Sequence, residues 1–172
     1  LGCQATKKFI AVNSGTATIT SVDVIDFSGS ENSILINYTG IGDYEFSIDG
    51  IHYQDSPQFY NLSEGSYLIY IRDINGCGLP APTKVFVLDY PRFFTPNGDN
   101  YNDFWTIKNS AKYPNMMIHI FNRYGKLLTL VNPKGNGWDG TYNGKDLPAD
   151  DYWFSIILNN DRIIKGHFAL LR

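Results

Sequence analysis

The chain has 172 residues, a formal net charge of -3, and 18% charged against 43% hydrophobic residues. That balance excludes a disordered tail, and without a long basic run there is no electrostatic footprint for nucleic acid. No apolar stretch approaches the roughly 20 residues that span a bilayer. No signal peptide opens the chain, and with Leu1 in place of an initiator methionine it reads as a fragment or a processed product.

Aromatic residues reach 15%, including 12 Tyr and 11 Phe, which suits pleated sheets better than helices. Short β-rich runs alternate with turn residues, and helical periodicity is almost absent. Phe9–Val12, Thr16–Asp26, Ser33–Tyr38 and Tyr44–Ile48 are predicted strands, the last followed by the hairpin signal Asp49-Gly50. Tyr67–Asp73 follows, closed by Asn75-Gly76, and then Lys84–Leu88. Pro80, Pro82 and Pro91 stiffen the path toward a boundary near Asp89–Arg92. Beyond it, Phe104–Lys108, Met116–Asn122, Lys126–Val131, Tyr152–Leu158 and Ile163–Leu171 are predicted strands. Tyr124-Gly125, Asn143-Gly144 and Asn159–Asp161 supply turns between them. The pattern predicts an all-β protein of two tandem Ig-like antiparallel β-sandwich domains, residues 1–88 and 89–172.

Two internal echoes support that division. Leu62-Ser63-Glu64-Gly65-Ser66-Tyr67 and Leu147-Pro148-Ala149-Asp150-Asp151-Tyr152 share the pattern Leu-x-x-(Gly/Asp)-x-Tyr ahead of an apolar strand. A Tyr at that place can turn its hydroxyl back onto backbone at a sheet corner. The Gly/Asp position is expected to need positive φ. Gly2-Cys3 with Lys7–Val12 echoes Gly76-Cys77 with Thr83–Leu88. Residues 1–12 are therefore read either as the last strand of a preceding repeat or as the first strand of this domain.

No catalytic constellation assembles, so an enzyme is not expected. His52, His119 and His167 lie in separate stretches with no ligand at zinc spacing. There is no nucleophile elbow, and Gly135-Asn136-Gly137 opens no helix that would make a phosphate loop. Cys3 and Cys77 are read either as two buried thiols or as one structural disulfide. The stretch Phe93–Trp105 crowds oxygen-bearing side chains around Pro96 and Gly98. It has two readings. In one, Asn97, Asp99 and Asp103 ligate calcium, the only cofactor considered; in the other, an Asx-turn loop satisfies its own amides.

Phe94-Thr95-Pro96-Asn97-Gly98-Asp99, with Asn102-Asp103 and Trp105, resembles the opening signature of the type B C-terminal sorting domain of the Bacteroidota type IX secretion system, also called the gliding-motility-associated C-terminal domain. The resemblance continues through Tyr113-Pro114-Asn115, Ile120–Gly125, Trp138-Asp139-Gly140, Tyr142-Asn143-Gly144, Leu147-Pro148 and Tyr152 to Lys165-Gly166 and Leu170-Leu171-Arg172. Asp150-Asp151 departs from it where the pattern usually has Gly. The first half, through Tyr44–Gly50, Asn61–Tyr67 and Arg72–Cys77, more loosely resembles the Ig-like repeats of gliding adhesins.

The resemblance implies an export address on a cell-surface adhesin, secreted to the outer-membrane exterior after transit through the periplasm. Its implied partners are the type IX translocon and an outer-membrane β-barrel of the PorP/SprF-like family. Exposed turns are the candidate contacts: Asn97, Asp99 and Asp103 in the first loop; Arg123, Tyr124 and Lys126; Asp139 and Asn143; and Arg172. The strand Ile163–Leu171 is a further candidate if it lies at a sheet edge. Trp105, Phe121, Trp138 and Tyr152 are expected in the core and corners. Two other classes remain open on the residues alone, a ligand- or glycan-binding adhesin module and a passive structural spacer.

Overall fold

The computed structural model describes residues 6–7, 13–76, 78, 80–158 and 162–172. The predicted strand Phe9–Val12, the turn Asn159–Asp161 and both cysteines lie outside them. The described residues are all-β, with two 3-10 turns and no α-helix. They form two compact units. One takes residues up to Val24, Ser33–Tyr60 and Ser66–Val85; the other takes Ile25–Asn32, Asn61–Gly65 and Phe86–Arg172.

In the first unit, β1 (Thr18–Ile25), β2 (Ser33–Thr39) and β4 (Gln58–Phe59) form one sheet in the order β1-β2-β4. The second sheet, in the order β3-β5-β6, holds β3 (Tyr44–Ser47), β5 (Gly65–Asp73) and β6 (Thr83–Val87). Strand alternation sends Ile34, Ile36, Phe46, Ile69 and Ile71 inward, each at most 1% exposed. The predicted Asp49-Gly50 hairpin takes a different form. Asp49 Oδ1 accepts the amide protons of Ile51 and His52, and β3 pairs onward only at the single bridge Phe46–Gln54. A side-chain turn has replaced the two-residue hairpin, as Asp readily does.

The second unit is built on a five-stranded sheet. It comprises β7 (Phe93–Phe94), β8 (Met117–Phe121), β9 (Leu127–Val131), β12 (Asp150–Ile157) and β13 (Ile163–Leu170), in the order β7-β13-β12-β8-β9. Between β9 and β12 lies the hairpin β10 (Thr141–Tyr142) and β11 (Lys145–Asp146). Its tip, Asn143 and Gly144, has φ of 52° and 72°, the left-handed pair that an Asn-Gly turn supplies. Ile118, Ile120, Tyr152, Phe154, Ile156, Phe168 and Leu170 alternate inward onto one core with Phe94, Trp105 and Trp138. Trp105 stacks on Phe168 at 4.0 Å between ring centroids, and its indole N–H donates to Pro91 O at 2.9 Å. The Trp138 N–H donates to Thr141 O, also at 2.9 Å. Buried indoles thus keep a hydrogen-bond partner.

Four further expectations are corrected. The sheet is not wholly antiparallel, because β7 pairs parallel with β13 through Phe93–Ala169 and Phe94–Leu170. For the same reason β13 is no edge strand at its end, where β7 flanks Ala169 and Leu170; among the described residues no named strand pairs with Ile163–Phe168 on that side. Phe104–Lys108 is not a strand. It makes only the bridge Trp105–Trp138, after which Asn109 at φ 63° turns the chain into the 3-10 turn Ser110–Lys112. Neither Gly65 nor Asp150 has positive φ; each opens its strand in extended geometry. The Tyr corner itself is present, since the Tyr152 hydroxyl donates to Pro148 O at 2.9 Å.

Candidate recognition surface

The turns predicted as contacts are built largely from their own hydrogen bonds. In the Asn97–Asp103 loop, Asp103 Oδ1 accepts the amides of Asn97 and Gly98 at 2.9 and 2.7 Å, and Oδ2 accepts that of Asn100 at 2.8 Å. Asp99 accepts the Tyr101 amide and the Asn97 side-chain amide. These amide donors hold the Asp103 carboxyl below its ordinary range. The loop has the geometry of the Asx-turn reading. Among the described residues no group of three or more His, Cys, Asp or Glu side chains is gathered for a metal ion.

Several of the remaining candidates are similarly engaged. Arg123 pairs with Asp150, which lowers the carboxyl and raises the guanidinium. Asn122 Oδ1 accepts the amides of Tyr124 and Lys126, which shapes the turn and leaves Tyr124 84% exposed. The Lys126 ammonium lies 4.6 Å from the Tyr142 ring centroid. Asp139 Oδ1 accepts both the amide and the hydroxyl of Thr141. Arg172 donates to Leu147 O and Gly140 O and pairs with Asp146. The arrangement brings Arg123 and Tyr124 together beside Asp150, and Lys126 beside Tyr142.

A further set of exposed apolar groups lies on the outward face of the five-stranded sheet. Cross-strand register sets Leu127, Phe121, Trp153 and His167 in one row. Leu130, His119, Ser155 and Lys165 form the next. Met117, Ile157 and Ile163 continue beyond them. Leu130 is 63% exposed, Ile163 57% and Trp153 40%. A shallow cleft of about 460 Å³ opens in this face, lined by Phe121, Arg123, Trp153, Ser155 and Lys165 among others. Of the four aromatics expected in the core, Trp105, Trp138 and Tyr152 are buried, but Phe121 is half-buried and belongs to this row. The signal for the face is in the sequence: Met116–Phe121 is apolar at odd and even positions, yet only one set can face the core.

Residues 88–170 match the model of the family described as CHU_C Type IX secretion signal domain. The match covers just under half of the chain and indicates a type IX secretion sorting signal in those residues, and hence export to the cell surface or beyond. No curated protein matches the chain. No helix of the described residues is long and apolar enough to cross a membrane.

Proposed function

We propose that the second unit is a non-enzymatic export address on a surface adhesin of the gliding-motility type, read as a folded surface by an outer-membrane β-barrel of the PorP/SprF-like family. The observation that carries this reading is the sorting-signal match over residues 88–170, which falls on one folded core rather than on a linear peptide. Apolar motif residues scattered along the sequence, from Phe94 and Trp105 through Trp138 and Tyr152 to Leu170, meet in that core. The Ig-like first unit is, on this reading, the last module of the exported cargo.

The test is export of a periplasmic reporter carrying the full 172-residue chain at its C-terminal end in a Bacteroidota host. The reporter should reach the cell surface, and deleting the barrel partner should retain it in the periplasm. Periplasmic retention with the partner present would refute the sorting role. Export that persists after partner deletion would refute the partner.

A further inference from the structure

We propose that the outward face of the five-stranded sheet, rather than its turns, is the surface the export partner touches, and that the occupant is a protein segment presenting an apolar side chain beside a carboxylate. This rests on the reading of the unit as a folded export address.

Three observations carry it. First, the face spends apolar surface on water without a structural return. Leu130, Met117, Ile163 and Trp153 are all at least 40% exposed, and register places them in contiguous rows. Scattered exposed apolar residues are ordinary, but a contiguous patch of them marks an interaction site. Second, the face has an anchor site. Phe121 and Trp153 sit directly opposite each other on β8 and β12 and line the cleft, with His167 next in the row. Aromatic groups around a pocket are where interface energy concentrates.

Third, the charge within the rows has one sign. Lys165 stands between Ile163 and His167 along β13, opposite Ser155. Among the described residues no carboxylate forms an ion pair with it, as is also true of several other exposed lysines; what sets it apart is its place within the apolar rows. Asp151, the one acid on this face of β12, lies beyond Trp153, opposite Ala169. An unpaired cation amid apolar groups loses hydration when covered, so a cover without a counter-charge would be disfavoured. A carboxylate meets that demand at a single point. Strand spacing of about 4.8 Å and rise of about 3.3 Å give a face of roughly 400 Å² in projection. That is about half the roughly 800 Å² per partner of a stable interface, so the contact is a weak, transient one, which suits an address that is read and then released.

The experiment uses the full chain behind the reporter, with each variant first shown to melt within about 5 °C of the parent. Trp153→Ser and Lys165→Glu should each reduce surface export at least tenfold, while Lys165→Arg should export within twofold of the parent. Lys165 is exposed, so the charge reversal remains informative if Trp153→Ser fails to fold. Folded Lys165→Glu protein exported at the parental level overturns the inference while leaving the sorting role intact. Failure of the parent chain itself to export overturns both. A dimer in sedimentation that Trp153→Ser dissolves would assign the face to a second copy. Trp153-dependent binding to vesicles of phosphatidylethanolamine and phosphatidylglycerol would assign it to lipid. Either result also overturns the inference.

Discussion

Asp26 shows how the second unit stabilises itself from a distant part of the sequence. Its side chain is 5% exposed and is paired with Arg162, yet burial pushes its carboxyl above the ordinary value despite that partner. Removing the guanidinium leaves a buried carboxylate without its charge partner. Arg162→Met should therefore cost about 2 kcal/mol at pH 7, less than for a fully buried pair because Arg162 is 35% exposed. An acid whose folded pKa is raised binds its proton more readily when folded, so its contribution to stability falls as pH rises through the window above 3.8. The penalty of Arg162→Met should accordingly shrink toward pH 4, which denaturant melts at both pH values measure. Glu64 has the opposite sign. Lys108 lowers its carboxyl, so its contribution is present above about 4.5 and is lost as pH falls through the lowered folded value. Tyr152→Phe removes one hydrogen bond, to Pro148 O, and should cost about 1 kcal/mol. The Asp103 carboxylate already serves three amides, so millimolar calcium should leave the melting temperature unchanged. A rise that chelator reverses would instead assign the loop a cation.

The turns and strands differ in how much of them could be read from residue order. Asn143-Gly144 requires left-handed backbone at two successive residues, and the hairpin is where the dipeptide predicts it. The alternating strands β2, β5, β8, β9, β12 and β13 also follow from their patterns within a residue or two. The two-residue strands β4 and β7 carry too few residues for a periodicity, and β7 exists only because β13 pairs with it. Phe104–Lys108 has the residues of a strand, but Trp105 and Ile107 are committed to the core without a neighbouring ladder beyond one bridge. The proposed contact face is harder to read still. Turn residues with polar side chains suggest binding, but here most are occupied by nearby amides and carboxylates, and the apolar face needs the cross-strand register to become visible. Glycines give a sharper test of elements. A Cβ on Gly137 would lie 2.5 Å from Trp105 O at φ +113°, whereas one on Gly144 meets nothing within 4 Å at φ +72°. Gly144→Ala should cost about 1 kcal/mol of left-handed strain. Gly137→Ala should cost clearly more, because it must also part the Trp105–Trp138 bridge. Equal melting temperatures for the two variants would contradict this account.

At the level of the whole chain, the sorting signal matches residues 88–170, but the compact unit around it also takes in Ile25–Asn32 and Asn61–Gly65. Asp26 pairs with Arg162, the Phe27 amide donates to Leu88 O at 2.9 Å, and Glu64 pairs with Lys108. A fragment starting at residue 89 lacks all three partners. It should melt several degrees below the corresponding transition of the full chain, as calorimetry of both would show. Reporter fusions made with the fragment alone would then confuse a weakened fold with a lost address.

The position of β13 has a consequence for when the address comes into being. Because β13 lies between β12 and β7, the sheet is divided until residues 163–170 are added. On the ribosome, Phe93 and Phe94 must wait some seventy residues for the strand they pair with, and closing so long a loop is slow relative to forming local hairpins. Trp153 and Lys165 belong to one flat face only after that closure. A polypeptide interrupted in its last strand therefore lacks the Ile163, Lys165 and His167 part of the proposed surface, and on that reading export would withhold passage from cargo whose synthesis stopped short.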